Sequence, residues 1–177
     1  TNISNILPQL SESESVLAQT IDIYQRALEL TIAGSNETMG QDQLDQNAIE
    51  IDQLIEQLLL LGNTRVSGRS IFAGTRTGLD PFQATRDINN RITTVTYQGN
   101  SDSIEVQISD IARIDSNIPG DEIFQSAIDM FDVLIGIRDD MEAGNQANLS
   151  AVRLDEIDQA QKHTSLNMAK IGALQNR

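Results

Sequence analysis

The sequence contains no cysteine and no tryptophan, and it has a single histidine among 177 residues. Without cysteine the chain cannot form a disulfide framework, a thiolate metal site or a thiol nucleophile. Aromatic residues make up only 3% of the chain, so its core must be built mainly from leucine, isoleucine, valine and alanine. These side chains suit packed helices, and the composition therefore favours a helical bundle over a β-sandwich.

Positive charge is also scarce, because 12 Lys and Arg stand against 26 Asp and Glu, for a net charge of −14. The basic residues are scattered along the chain, so a nucleic-acid backbone would be repelled. The same repulsion acts against anionic membranes, and no uninterrupted apolar run approaches the roughly 20 residues that span a bilayer. We therefore expect neither nucleic acid nor a membrane as a partner.

Apolar residues at three- and four-residue spacing predict two helices in the first third of the chain. The first runs from Pro8 to about Ala33 and ends at a Gly-Ser-Asn break. The second begins near Gln41 and broadens into Leu59-Leu60-Leu61, which predicts burial on more than one side near its end. The predicted stripe of the first helix is Leu10, Leu17, Ile21, Tyr24, Leu28 and Ile32, and that of the second is Leu44, Ala48, Ile51, Ile55 and Leu58.

Two further helices are predicted after residue 120. Asp121 follows a Pro-Gly pair as a natural N-cap, and one apolar face then continues until Gly144 ends it. The last helix is predicted to start near Gln146 or Leu149. Its stripe contains polar residues among apolar ones, namely Leu154, Ile157, Gln161, Thr164, Met168 and Ile171, so it needs the earlier helices as partners.

The middle of the chain predicts loops and strands. Helical periodicity lapses in a glycine-containing segment from Asn63 to Pro81. Apolar and polar residues then alternate in 92–98 and 104–108, around a Gly-Asn-Ser-Asp sequence at 99–102. This pattern predicts two strands joined by a tight connection, a hairpin that leaves room for extra strands. The predicted fold is mainly α, an elongated antiparallel helical bundle with a small β-hairpin insert. Residues 1–78 and 121–177 would form the two parts of the helical core, and 79–120 the insert.

The sequence contains no convincing catalytic or metal-binding motif. Its only histidine is His163, so a transition-metal site would have to be built almost wholly from carboxylates. Residues 115–120 faintly resemble a calcium loop, but Pro119 stands where a ligand is needed and Ser126 takes the place of the final glutamate. The acidic residues Asp45, Glu50, Asp52 and Glu56 are typical of a solvated helix face. We predict no enzyme and no cofactor, with a carboxylate-based metal hydrolase as the alternative.

Several segments, taken in order, resemble the flagellin superfamily, which comprises the flagellins and hook-associated proteins of the bacterial flagellum. They are Tyr24–Leu30, Gln53–Leu58, Gly62–Thr75, Val95–Asn100, Asn117–Phe124 and Leu154–Arg177. The resemblance covers nearly the whole chain, and the order of its elements makes it specific.

The resemblance implies an extracellular subunit of the bacterial flagellum, exported through the flagellar secretion apparatus. It implies association with other axial proteins, among them flagellin and hook-associated protein 1, self-association in a ring or helical lattice, and an export chaperone. Both ends look cut from a longer chain, so the terminal helices that polymerise in the family would be missing. Two structural functions follow as expectations: a junction subunit between hook and filament, or the filament subunit itself.

Six residues are candidates for subunit contacts or for closing the loop that follows the second helix. Arg65, Arg69 and Phe72 lie in the loop between Asn63 and Pro81, where arginine offers a planar donor fork to carboxylates in an acidic chain. A purely local role, closing the loop onto the chain's own helices, remains open for them. The other three candidates are Gln25, Arg26 and Glu29, in a stretch that resembles the part of flagellin read by an innate immune receptor and that is also part of a helix with a core stripe.

Overall fold

The computed structural model describes residues 3–109 and 112–176, with side-chain surroundings for 7–107 and 115–176. Helices flank a central segment of loops and strands. The helices are α1 (Ile3–Gly34), α2 (Gln41–Gly62), α3 (Gly120–Phe124), α4 (Met130–Glu142), α5 (Gln146–Asn148) and α6 (Leu154–Gln175), with a π-helical turn at Leu149–Arg153 that leads directly into α6. The mainly helical fold predicted from composition and periodicity is confirmed.

Three separate two-stranded antiparallel sheets lie between α2 and α3. Their strands are β1 (Arg65–Val66), β2 (Arg69–Ser70), β3 (Phe82–Arg86), β4 (Ile92–Tyr97), β5 (Glu105–Ser109) and β6 (Ala112–Asp115). Each strand pairs with its neighbour in the chain, giving the pairs β1–β2, β3–β4 and β5–β6.

The long helices form two antiparallel pairs, α1 with α6 and α2 with α4. At the start of α2, the Gln41 amide donates to the carbonyl of Met141 at the end of α4 over 3.1 Å. At the far end of the other pair, the Gln175 amide donates to the Glu14 carboxylate over 3.0 Å. The two pairs share one core, because α1 also packs against α2. The bundle is therefore antiparallel, as predicted.

The predicted stripe of α2 is buried throughout, at Leu44, Ala48, Ile51, Ile55 and Leu58. Two other predictions of burial are wrong: Leu60 is 72% exposed and Ile32 is 54% exposed. Leu60 lies about 200° around the helix from Leu58, so it faces away from the core. Ile32 is exposed because the buried seam of α1 passes through Thr31 and Gly34 instead.

The buried face of α6 departs from its predicted stripe at two positions, each by one residue, and the predicted Leu154 is only half-buried. It consists of Ile157, Ala160, Thr164, Asn167 and Ile171, a spacing of three and four residues that is typical of a coiled-coil seam. Gln161 and Met168 are half-buried beside it. The seam is polar at its centre, and the Oδ1 atom of Asn167 has no hydrogen-bond partner among the described residues.

The predicted pairing of 92–98 with 104–108 is wrong. The first segment contains β4, which pairs with β3, and the second overlaps β5, which pairs with β6. The connection at 99–102 is held elsewhere, because the Asn100 side chain accepts from the Thr75 amide and donates to the Thr75 hydroxyl, both over 2.8 Å. Turn-forming residues there anchor a distant loop and do not close a hairpin.

The single helix predicted from Asp121 to Gly144 is broken into α3 and α4. Asp121 lies inside α3, whose N-cap is Pro119 without a side-chain hydrogen bond. The second helix starts afresh because the Asp129 carboxylate accepts from the amides of Phe131 (2.9 Å) and Asp132 (3.1 Å). The final helical segment begins at Gln146, as predicted.

Both tyrosines of the chain are expected to ionise only at high pH in the folded state. Burial, followed by the charge of Asp129, raises the pKa of Tyr24 well above 10.0, and its hydroxyl donates to the Met130 carbonyl. Burial, followed by the charge of Asp121, raises the pKa of Tyr97 to about 12. Since both folded-state pKa values exceed the unfolded ones, the stabilising contribution is complete below pH 10 and is lost as the pH rises above it.

We expect the free energy of unfolding to fall above pH 10 by up to about 1.4 kcal/mol per pH unit for each tyrosine. Phenolate absorbance of the native chain, compared with the chain in denaturant, measures this directly. With neither tryptophan nor cysteine present, the signal belongs to the tyrosines alone. Ionisation of both tyrosines at the same pH in the native and denatured chain would contradict the prediction.

Within the described residues, each helix is either too short or too polar to serve as a membrane span.

Candidate subunit-contact surface

The loop between α2 and β3 is closed by side chains at both of its ends. The Asn63 side chain, at the C-cap of α2, donates to the Phe82 carbonyl and accepts from the Phe82 amide, each over 2.9 Å. Arg65 donates to the Asp80 carboxylate over 2.8 Å. These contacts tie the start of the loop to its end. Residues 63–80 are called the central loop.

The central loop begins with the small hairpin β1–β2. Its two turn residues, Ser67 and Gly68, have φ angles of 50° and 77°, as a tight two-residue hairpin turn requires. The Arg65 guanidinium also donates to the Gly68 carbonyl over 3.1 Å, and this hydrogen bond stabilises the turn. The hairpin presents Arg69 at its surface, where it is exposed.

The second half of the central loop is fixed by a close approach to Asn100. Gly74 has a φ of +63°, and a Cβ atom there would lie 2.1 Å from the Asn100 carbonyl oxygen. The space is narrow because the Asn100 amide donates to the Ala73 carbonyl over 3.3 Å, beside the two bonds with Thr75. Glycine is therefore required at position 74 both for its backbone conformation and for its lack of a side chain.

Gly74→Ala is expected to destabilise this chain by about 1–3 kcal/mol, because it combines an unfavourable backbone angle with a clash against backbone atoms. Gly78→Ala is the matched control, since a Cβ there meets nothing within 4 Å. Urea unfolding of the two variants measures the difference. Equal stability of both variants would show that the central loop is not held against Asn100.

Phe72 is fully buried in a cluster of aromatic rings. Its ring lies 5.4 Å from that of Phe124, and the Phe82 ring lies 5.2 Å from Phe124 and 5.3 Å from Phe131. The Phe72 carbonyl accepts from the Gly120 amide and the Tyr97 hydroxyl, each over 2.8 Å. Phe72 thus anchors the central loop to the core, and its ring is not available to a partner.

The three candidates on α1 lie at the surface of the bundle. Arg26 donates to Glu50 on α2 over 2.5 Å and to Glu29 over 2.7 Å, while Gln25 is exposed beside them. The hydrogen bond from Arg26, opposed by some burial, holds the pKa of Glu50 below its ordinary value. These residues link α1 to α2 at an exposed position. They are far from the central loop in the chain, and no described hydrogen bond or ion pair joins the two groups.

An open groove lies between α1 and α2, next to Arg26. It has a volume of about 600 Å³ and a largely apolar lining that includes Ile23, Leu54, Leu60 and Leu61. The exposed Leu60 belongs to this groove. The α1–α2 face and the central loop are two exposed features of the described surface that are available to another protein.

The described residues offer no group of three or more histidine or acidic side chains arranged to hold a metal ion. The His163 ring nitrogen Nε2 lies 2.8 Å from the Glu122 carbonyl oxygen and 3.0 Å from the Asn167 amide nitrogen. The predicted alternative, a carboxylate-based metal hydrolase, gains no support from this part of the chain.

Sequence reasoning missed the residues that shape the central loop. Asn63, Asp80 and Asn100 make its closing contacts, yet only Asn63 carried a local signal, since asparagine after an apolar helix is a common end residue. The partners of Asp80 and Asn100 lie 15 and 25 residues away in the chain, so periodicity could not reveal them.

The N-terminal part of the chain matches a known family. Residues 2–77 fit the model of the bacterial flagellin N-terminal helical region. Over 119 residues, 67% of its length, the chain is 34% identical to flagellar hook-associated protein 3 of Escherichia coli (strain K12). The chain is therefore similar to the flagellins and the hook-associated proteins.

A second superfamily member gives a similar match. Flagellar hook-associated protein 3 of Salmonella typhimurium is 32% identical over 120 residues, again 67% of this chain. The chain spans only 35% of the length of each of these two relatives.

Two solved structures named FlgL share the fold along almost the whole chain. Xanthomonas campestris FlgL superposes with a TM-score of 0.85 and 16% identity, covering 99% of this chain and 90% of that one. The flagellar junction protein FlgL of Legionella pneumophila gives a TM-score of 0.83 at 13% identity, covering 99% and 92%. At these identities the likeness establishes the fold alone.

Proposed function

We propose that this chain is part of a structural subunit of the bacterial flagellum that joins the hook to the filament. The observation that carries the proposal is the match at 34% and 32% identity to two proteins named flagellar hook-associated protein 3. The fold of a flagellar junction protein over 99% of the chain supports it further. The role is one of assembly, without catalysis.

The geometry suits repeated contacts between neighbouring subunits. Two antiparallel helix pairs form an elongated body, and the α1–α2 face and the central loop leave side chains exposed on it. A subunit in a ring or helical lattice uses one surface to contact a different surface of its neighbour. We propose that residues 1–78 and 121–177 form the helical core of the subunit, with 79–120 as an insert that shapes this surface.

The proposed location is the extracellular part of the flagellum. The proposed partners are hook-associated protein 1 on one side and flagellin on the other, with self-association in a ring or helical lattice and an export chaperone before assembly. These partners follow from the junction role. The net charge of −14 argues against nucleic acid among them.

Flagellin itself is the second candidate function. The observation in its favour is the match of residues 2–77 to the flagellin N-terminal helical region. A filament subunit would use the same helical core but would be the major secreted protein.

Deletion of the gene from its host tests the proposal, with electron microscopy of the cells and measurement of flagellin in the medium. We expect hooks without filaments beside abundant secreted flagellin, because flagellin exported without its adaptor cannot stay attached. Hooks without filaments and without a major secreted flagellin would assign the filament role. Normal filaments in a strain with no second copy of the gene would contradict both.

A further inference from the structure

Among the residues whose side-chain surroundings are described, nearly all lysines and arginines form an ion pair with a carboxylate, and the two exceptions lie in one loop. Side-chain surroundings are described for ten of the twelve lysines and arginines, since Arg113 and Arg177 lie outside them. Eight of the ten form an ion pair with Asp or Glu. The other two, Arg69 and Arg76, have no carboxylate partner among the described residues. Both lie in the central loop, which carries a net charge of +2 from three arginines and one aspartate.

The two unmatched arginines are held on an ordered surface. Arg69 belongs to β2 and follows the tight turn at Ser67 and Gly68. Arg76 is exposed, and its guanidinium makes a single long hydrogen bond of 3.4 Å to the Gln98 carbonyl. The backbone that carries them is fixed by the Asn63, Asp80 and Asn100 contacts. Binding a partner through these side chains would therefore require little ordering of the backbone.

The opposite charge pattern precedes the central loop. Residues 27–62 contain seven acidic residues and no Lys, Arg or His. Four of the seven pair with cations of other segments: Glu29, Glu50, Asp52 and Glu56. The remaining three are Glu37, Asp42 and Asp45, which are exposed and form no ion pair within the described part of the chain. They lie just before and within the start of α2.

The unmatched carboxylates and the unmatched arginines cannot meet within one copy. They lie at opposite ends of α2, whose 22 residues span roughly 33 Å. A second copy displaced along the helix axis would bring one group opposite the other. Such a contact joins two different surfaces, which is the kind of contact that builds rings and helical lattices.

We propose that Arg69 and Arg76 of one copy bind the carboxylates of Glu37, Asp42 and Asp45 on the next copy. The proposal deepens the proposed function, on which it rests, by naming a contact between subunits. Copies that each carry −14 repel one another, so a local attraction between complementary charges also fixes which surfaces can approach. Arginine suits this role because its planar fork binds a carboxylate through two hydrogen bonds.

Disulfide trapping between copies of the full-length protein tests the contact. Residues 1–177 contain no cysteine, so introduced cysteines can be placed singly. One variant carries Ser67→Cys on the hairpin turn and the other carries Gln43→Cys in the first turn of α2, both at exposed positions. When the two variants are mixed and oxidised, we expect a disulfide-linked heterodimer. The pair S67C with Q159C is the matched control, because Gln159 is exposed on α6. A yield no higher than that of the control pair would overturn the proposal.

Charge reversal in the same full-length variants tests its chemistry. We expect R69E with R76E, or D42R with D45R, to lower the trapping yield about tenfold or more, because like charges then face each other. Mixing the R69E/R76E double variant with the D42R/D45R double variant should restore the disulfide yield, because opposite charges then face each other again. Lys162→Glu, an exposed cation of α6, should leave it unchanged. A disulfide yield that does not change on charge reversal would overturn the proposal. Binding of flagellin that depends on Arg69 and Arg76, with no disulfide formed between copies of this protein, would also overturn it.

The outcomes separate this contact from the junction role. Loss of filaments on gene deletion, together with a failed trapping reaction, would remove the contact and leave the junction role standing. Efficient, charge-dependent trapping in a protein whose deletion leaves normal filaments would retain the contact and remove the junction role.

Discussion

Replacing Phe82 with alanine is expected to lower the free energy of unfolding of this chain by about 3–5 kcal/mol. Its ring is 2% exposed and contacts three other rings, those of Tyr97, Phe124 and Phe131. It also packs against Gly62 at the end of α2, where a Cβ atom would lie 2.8 Å from the ring. The truncation leaves a cavity where the central loop, β3 and the helices meet. Few neighbours can fill it, because aromatics are only 3% of the residues.

Leu60→Ala is the matched control for this cavity, since Leu60 is a large apolar residue of the same region that is 72% exposed. Its expected effect is within about 0.5 kcal/mol. Urea unfolding followed by circular dichroism measures both variants. A Phe82→Ala cost of less than about 1 kcal/mol would show that the aromatic cluster does not hold the loop to the bundle.

Replacing Arg138 with methionine is expected to lower the free energy of unfolding by about 1.5–3 kcal/mol, because it removes a buried cation from its hydrogen bonds with two partly exposed carboxylates and a backbone carbonyl. The Arg138 side chain is 4% exposed. It donates to the Asp52 carboxylate over 2.8 Å and to the Ile92 carbonyl over 2.7 Å, and its Nε donates to Asp139 over 2.9 Å. One guanidinium therefore joins α4 to α2 and β4.

Two further variants make the Arg138 prediction specific. Arg138→Met combined with Asp52→Leu should recover part of the loss, because it removes the half-buried Asp52 carboxylate, which Arg138→Met alone leaves with only the longer ion pair to Arg91 at 3.8 Å. Lys162→Met removes an exposed cation that pairs with Asp158 and should leave the unfolding midpoint unchanged. Equal free energies of unfolding for Arg138→Met and Lys162→Met would show that the buried Arg138 cation adds nothing to the stability of the fold.

Helix periodicity could be predicted from the sequence because it is a local property. The α2 stripe from Leu44 to Leu58 needed only the 3.6-residue repeat and was confirmed residue by residue. The exposure of Leu60 could not be predicted in the same way, since a run of leucines does not say which of them faces a neighbour. That depends on where α1 and α4 lie.

Strand pairing and helix breaks depended on contacts that are distant in the chain. The turn-forming residues 99–102 predicted a hairpin, but Asn100 bonds to Ala73 and Thr75, about 25 residues away. The break before α4 depended on Asp129, whose capping role competed with a continuous apolar face. For the candidate surface, the sequence indicated Arg65 and Arg69 but not Arg76, and it did not show which of the three arginines lack a carboxylate partner. That distinction required the positions of Asp80 and the other acidic side chains.

Filament growth on isolated hooks tests the junction role most directly. Hook–basal bodies from cells lacking the gene would be incubated with purified flagellin, with and without the full-length protein, and observed by electron microscopy. We predict filaments on hooks only when the full-length protein is added together with flagellin. Filaments growing equally well without it, or long filaments built from this protein alone, would contradict a junction role.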